Sequence, residues 1–344
     1  MPSRSLHLMR FRMLDVMFEL SQNVGRRLAR QLPSSRPLVC VAVLAASLLP
    51  IRLSAQTPTP STQQSAPVRK SHETELDNML MQSTFKIQSI GLPGQAPSLG
   101  VAFIMGRPLS HPGPDRPNEA RFVLITAAHV LEGILGDTAI LHLRRRNEQS
   151  DWERLPFQLQ IRNAARPLWI KHPSQDIAVM YIALPRDVSI LLTSTDLLAD
   201  DAMLERYEIH PGDTLRCLGF PFGQESNAAG FPILRSGRIA SYPLTPTLKT
   251  RTFLFDFPVF QGNSGGPVYM VDENRAFQGS VNLGSTTQLI LGLVIQETTH
   301  DEQLIGQYNA ELHRYPLGLA TVVHASFIKE AINMLPPPDE LPTR

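Results

Sequence analysis

The string Gln261-Gly262-Asn263-Ser264-Gly265-Gly266-Pro267 holds the residue types needed for nucleophilic attack on a carbonyl. A serine hydroxyl is a weak nucleophile and needs a base beside it and amide donors around it. Gly262 can take backbone angles closed to other residues and turn its N–H to the side of the Ser264 N–H. Two such amides would hold the negative oxygen of a tetrahedral intermediate. Gly265 and Gly266 leave the space above the serine clear for a substrate backbone. Asn, Ser and Gly are also ordinary turn residues, so a glycine-rich hairpin fits the same string.

A base for that serine stands in Phe122-Val123-Leu124-Ile125-Thr126-Ala127-Ala128-His129-Val130-Leu131, where an apolar strand ends in two alanines and a histidine. A general base needs a pKa near working pH and a fixed ring, and a histidine at a strand end supplies both. Ala127 and Ala128 leave room for a group behind the ring. A histidine that only caps a buried strand fits as well. The third string is His172-Pro173-Ser174-Gln175-Asp176-Ile177-Ala178-Val179-Met180-Tyr181-Ile182. Asp176 is its last polar residue before an apolar run. A carboxylate there can be partly buried and still accept an imidazole N–H, which fixes the tautomer and stabilises the imidazolium. The alternative is an Asx turn opening a strand. Asp151, in a charged loop, and Asp187, after a Pro-Arg turn, are less well placed. His-Glu-x-x-His and paired Cys-x-x-Cys strings are absent, so neither a metal nor a cofactor is expected.

The elements that must position these residues are short. Apolar stretches recur between Gly/Pro clusters at Thr84–Ile90, Gly100–Met105, Arg121–Thr126, Thr138–Leu143, Phe157–Ile161, Ile177–Leu184, Thr214–Phe220, Arg235–Ser241, Thr252–Phe257, Pro267–Val271 and Leu289–Ile295. Many short strands separated by turn signals predict an all-β sandwich or barrel. One helix is predicted, Ala325–Leu335, with Phe327, Ile328, Ala331, Ile332 and Leu335 on one face and Pro336-Pro337-Pro338 as its stop.

Thr126–His129, Asp176–Val179 and Gly262–Pro267 together resemble the three catalytic motifs of the trypsin/chymotrypsin family of serine peptidases, in that family's chain order. The resemblance covers roughly residues 80–330. It implies two six-stranded antiparallel β-barrels with a C-terminal helix, the first barrel over 76–190 and the second, with the helix, over 191–335. It further implies His129 as general base, Asp176 as its orienting partner, Ser264 as nucleophile, and Gly262 with Ser264 as oxyanion hole. The chain departs from the digestive members. It has no Ile-Val-Gly-Gly-like activation string, and Asn263 stands where they carry an aspartate. Gly212–Pro221 and Arg235–Ile239 look instead like exported bacterial members, the high-temperature-requirement and glutamyl-endopeptidase-like groups. No peptide-binding module is expected in the residues after Ser264. The substrate pocket implied by the family is Val259, Phe260 and Gln261 before the nucleophile, with Ile295, Gln296 and Glu297 on an edge strand after it. No acidic residue stands at its floor, so cleavage after Val, Leu, Met or Phe is expected. Glu297 or His300 would be the group to shift this toward basic or acidic residues.

Composition bounds the rest. Residues 1–55 carry eight basic and two acidic side chains, which leaves 24 basic against 29 acidic in residues 56–344. That mildly acidic body argues against nucleic-acid binding. The apolar run Leu38–Leu49, twelve residues long, is short for a span of about 20. With a basic flank before it and Leu53-Ser54-Ala55 after it, it reads as a secretory signal over 1–55, and an uncleaved membrane anchor is the alternative. A Pro/Thr/Ser/Gln-rich tether over 56–75 and a short tail over 336–344 follow from composition. Past the signal Cys217 is the only cysteine, so no intrachain disulfide is expected there. The expected protein is an exported, periplasmic or secreted, serine endopeptidase acting on polypeptides, with membrane contact only through its signal segment. The alternatives are an esterase and a catalytically silent, protease-like binding module.

Overall fold

A computed structural model of the chain describes residues 75–90, 97–110, 119–281, 286–305 and 310–340. The expected signal segment, the tether up to residue 74 and the last four residues of the tail lie outside the described residues. All described residues belong to one compact unit. Among them no helix is long and apolar enough to cross a membrane.

The first half is a sheet. Its strands are β1 (Thr84–Ser89), β2 (Leu99–Pro108), β3 (Ala120–Thr126), β4 (Thr138–Arg146) and β5 (Trp152–Gln160). After a small hairpin of β6 (Arg162–Asn163) and β7 (Arg166–Pro167) come β8 (Ile170–Lys171), β9 (Ala178–Tyr181) and β10 (Thr193–Ser194). The order across the sheet is β5-β4-β1-β2-β3-β9-β8, antiparallel throughout, with β10 running parallel to β2. Both faces are covered, Phe85 and Leu141 lying on one and Phe103, Val123, Ile125 and Val179 on the other, all fully buried. The expected first barrel does not close, because β5 and β8 remain edges. The chain leaves the sheet after Gln160 for the β6–β7 hairpin, whose Ala164 and Ala165 take positive φ, and β8 is only two residues long.

The second half is a closed barrel. Its strands are β11 (Thr214–Gly219), β12 (Ile233–Ile239), β13 (Thr252–Asp256) and β14 (Pro267–Asp272), then, after the small hairpin β15 (Ala276–Phe277) and β16 (Ser280–Val281), β17 (Thr287–Ile305) and β18 (Ala310–His324). They close in the order β11-β12-β13-β18-β17-β14. Inward alternation puts Leu215, Cys217, Phe253, Phe255, Val268 and Met270 in a shared core. β18 is absent from the sequence reading, and β17 runs ten residues beyond the expected Leu289–Ile295. Pro316 and Gly318 look like chain breakers. The β17–β18 register slips between Thr298 and Thr299, so Gly318 falls in a bulge with Leu317 and Pro316 pairs opposite Thr299 at its edge, and the ladder continues.

Two helices tie the halves together. The terminal helix Ala325–Asn333 matches its prediction and buries Phe327, Ile328, Ala331 and Ile332 in the first sheet's core. Arg107 donates to the Ile332 carbonyl at 3.0 Å, and the Tyr181 hydroxyl to that of Pro336 at 2.7 Å. An unpredicted helix, Leu76–Ser83, buries Leu76 and Leu80 in the same core. Its Asp77 accepts from the Tyr269 hydroxyl of the barrel at 2.7 Å and pairs with Arg216. The loop Gln224–Phe231 of the second half is clamped to the first sheet by fully buried Arg144. This guanidinium lies between the Phe85 and Phe231 rings, 4.4 and 4.3 Å from their centroids. It donates to the carbonyls of Thr84 at 2.7 Å and Gly230 at 2.8 Å. Burial lowers its pKa to about 9.

Candidate active site

His129 and Asp176 come from neighbouring strand ends. β3 and β9 pair antiparallel with Thr126 opposite Ala178, so His129, three residues past β3 on the short helix Ala128–Glu132, and Asp176, two residues before β9, meet at one end of the sheet. Thr126 ends β3 with its hydroxyl donated to the Val101 carbonyl at 2.6 Å. Ala127 and Ala128, fully buried, turn the chain so that His129 stands half-exposed above them. The Asp176 carboxylate uses both oxygens on this one residue. One accepts the His129 backbone N–H at 2.9 Å, and the other lies 2.5 Å from ring Nδ1. The Ala128 N–H reaches the Asp176 carbonyl at 3.4 Å. Burial alone would raise the Asp176 carboxyl. The bonds from the His129 ring and backbone, and the charges of His129 and Lys171, outweigh it and hold the group below its ordinary value. A carboxylate so placed leaves ring Nε2 as the free basic nitrogen.

Ser264 sits on the turn between β13 and β14. Gly262 and Gly265 have φ of +93° and +87°, which strains any residue with a Cβ. Space excludes one too. A Cβ on Gly262 would lie 2.2 Å from the Phe220 carbonyl oxygen, and one on Gly265 2.2 Å from that of Val101. The Gln261 carbonyl accepts from the Phe222 N–H at 2.7 Å, so the N–H of Gly262, across the same trans peptide, points the other way. Among the described residues neither the Gly262 nor the Ser264 N–H donates a hydrogen bond.

This turn packs against the strand end that carries His129. Val101 donates to the Ser264 carbonyl at 2.8 Å, and a Cβ on Gly265 would lie 2.6 Å from the Thr126 hydroxyl and 3.2 Å from the Ala127 nitrogen. The Ser264 hydroxyl donates to the Ile295 carbonyl at 3.3 Å. Asn263, next to it, is buried against Gly219 with both side-chain amide atoms unpartnered among the described residues.

The other residues named for the pocket divide. Ile295 is beside Ser264 through that carbonyl, and Gln296 and Glu297 follow it on β17, paired with Thr321 and Ala320 of β18. Val259 belongs to the barrel core. The Phe260 ring, 38% exposed, turns outward and packs on Phe222, with centroids 5.1 Å apart. Arg235 lies over Phe257 and Phe260 and donates to the Pro258 carbonyl at 2.9 Å. Phe222 and Arg235 carry no role in the sequence reading. The signal for Phe222 is an aromatic residue in the tight run Gly219-Phe220-Pro221-Phe222-Gly223, where a solvated loop would have polar residues.

The chain is similar in structure to solved serine proteases. A serine endoprotease from Yersinia pestis matches 74% of the chain at 14% identity and a TM-score of 0.38. The chain spans 63% of that protein's length, less than two thirds. The protease Anisep from Arthrobacter nicotinovorans matches 74% of this chain and 95% of its own, at 13% identity and a TM-score of 0.39. A thermostable serine protease, AL20, from an extremophilic microorganism matches 74% of this chain and 96% of its own, at 11% identity and a TM-score of 0.38. No family model matches the sequence, and no curated protein does.

Proposed function

We propose that the chain is a serine endopeptidase that hydrolyses polypeptides through an acyl-enzyme. The observation that carries this reading is the His129–Asp176 pair, in which a single carboxylate fixes both the ring and the backbone of the histidine. A histidine that merely capped a strand would not need its Nδ1 held at 2.5 Å by a partly buried carboxylate.

The steps follow from the residues. Ser264 Oγ attacks the scissile carbonyl carbon while His129 Nε2 takes the hydroxyl proton. Asp176 stabilises the imidazolium so formed. The negative oxygen sits between the Gly262 and Ser264 N–H groups, each donor being worth about 10²–10³ in rate. His129 then returns the proton to the leaving amine, the C–N bond breaks, and the acyl group stays on Ser264. Water repeats the sequence with His129 as base, and the acid is released. The resting bond from Ser264 to Ile295 does not oppose this. At 3.3 Å it is long for an O–H···O bond, and rotating the hydroxyl away gives up about 1 kcal/mol or less. With no acidic side chain in Phe257–Gln261 to select Lys or Arg, cleavage after Val, Leu, Met or Phe is proposed. The basic, apolar N-terminal segment directs the chain to the exported, periplasmic or secreted, space. Digestion of unfolded casein by the signal-free protein, abolished in Ser264→Ala, is the expected result. Ester hydrolysis without casein cleavage would make it an esterase. Neither activity in the folded protein would make it a binding module.

A further inference from the structure

The loop that presents Asp176 is built around a buried histidine for which the steps above have no use. His172 is 3% exposed. Its Nδ1 accepts the backbone N–H groups of Ser174 at 3.2 Å and Gln175 at 3.1 Å. An Nδ1 that accepts two donors carries no proton, so the ring hydrogen is on Nε2. That nitrogen lies 3.1 Å from the Glu330 carboxylate of the terminal helix and donates to it. The ring also packs edge-on against Phe327 of the same helix, with centroids 5.4 Å apart. The His172 backbone closes the loop by donating to the Ile177 carbonyl at 2.9 Å, and the Ile177 N–H bonds the Gln175 carbonyl at 2.9 Å. The two residues immediately before Asp176 are thus held through their amides by one imidazole, and that imidazole is anchored on the C-terminal helix.

We infer that His172, anchored by Glu330, is a positioning residue that sets the Asp176 carboxylate at its bonding distance from His129. This rests on the peptidase reading above for its catalytic consequence but not for its geometry. Nothing else among the described residues receives the Ser174 and Gln175 N–H groups. Without the imidazole acceptor, both amides must turn to solvent and the loop loses the constraint that aims Asp176. A displaced carboxylate acts on the rate of the chemical step and not on substrate binding.

Four variants of the full signal-free protein test this. His172→Leu keeps volume and removes the acceptor, and kcat is expected to fall by about 10²-fold, the effect of a misplacement near 1 Å. KM should stay within about twofold of wild type. His172→Asn restores an acceptor that reaches backbone N–H groups two and three residues on and should recover most of the loss. Glu330→Gln keeps an acceptor for Nε2–H and should change kcat by less than Glu330→Ala does. Glu330 lies on a half-exposed helix face, so this pair serves if His172→Leu does not fold. A second readout needs no turnover. The proton between His129 Nδ1 and Asp176 should give a far-downfield ¹H resonance in wild type and His172→Asn, absent in His172→Leu and in Asp176→Asn. If His172→Leu keeps both kcat and that resonance, or His172→Asn is as impaired as His172→Leu, the inference is overturned. If the resonance responds as described but wild type shows no Ser264-dependent hydrolysis, the positioning role stands and the peptidase reading falls.

Discussion

In the first half of the molecule two side chains on adjacent strands, His129 past β3 and Asp176 before β9, bond each other directly over a sheet with two open edges. In the second half the Ser264 turn stands on a closed barrel and is held by backbone contacts, from Phe220, Val101 and Val294 to residues 262–266. The barrel has no open edge, and its turn is shaped by glycines and by backbone groups, those of Val101 coming from the first sheet. The open sheet draws support from elsewhere in the chain, namely two helices and the Arg144 clamp. One half thus depends on particular side chains, the other on the absence of side chains.

Substitutions that separate these two dependencies should differ in size. Ser264→Ala and His129→Ala, one from each half, are each expected to lower turnover by on the order of 10⁶, because members of such a unit fail together. Asp176→Asn, in the half that works by side-chain bonding, should cost about 10⁴ through the wrong histidine tautomer. A rate within tenfold of wild type would show that another group orients His129. Gly262→Ala should cost about 10²–10³ in kcat by displacing an oxyanion donor, and should also lower the thermal transition, because its Cβ meets the Phe220 carbonyl at a positive φ. If Gly262→Ala were instead fully active, the turn would not be shaped by that glycine.

Stability should divide along the same line. Arg144→Met removes the donor that serves the Thr84 and Gly230 carbonyls deep in the clamp, and is expected to cost on the order of 3 kcal/mol in chemical denaturation. The loss should loosen the first sheet and leave exchange protection of the barrel strands β13 and β18 unchanged. Equal loss of protection in both halves would contradict this division of labour. The smallest effect concerns pH. Burial, first, lowers His142 on the open sheet and His324 beside the barrel to pKa values of about 4. The unfolded chain protonates both near 6.5 while the folded one does not. Stability is therefore complete above pH 6.5 and declines as pH falls from there toward 4. Among the described residues both His142 ring nitrogens are unpartnered, so His142→Leu should flatten that decline at no cost at neutral pH. His324→Leu also gives up a 3.3 Å contact with Thr250 and should flatten it less cleanly. A thermal transition equally acid-sensitive in the two variants and in wild type would assign the decline to other groups.

What was legible in the sequence was what is local. The glycines around Ser264, the alanines before His129 and the polar-to-apolar boundary at Asp176 each state their geometry within a few residues. The terminal helix likewise announces itself by the spacing of Phe327, Ile328, Ala331 and Ile332. The features that escaped are set by distant partners. Helix Leu76–Ser83 starts without a side-chain cap, and Asp77 finds its partners, Arg216 and Tyr269, on strands 139 and 192 residues away. β18 contains Pro316 and Gly318, which end most strands, and only the bulge opposite Thr298/Thr299 accommodates them. The open edge at β5 depends on where the chain goes after Gln160, and no periodicity encodes that. His172 is visible only as the first residue of its string, four positions before Asp176, and its meaning requires Glu330, 158 residues on.

The most direct measurement is reaction of the folded, signal-free protein with a fluorophosphonate, followed by peptide mass spectrometry. A single adduct on Ser264 is expected, absent in Ser264→Ala and strongly slowed in His129→Ala. A folded wild-type protein that stays unlabelled, or carries its adduct on another serine, would contradict the assignment of Ser264 as a nucleophile served by His129 and Asp176.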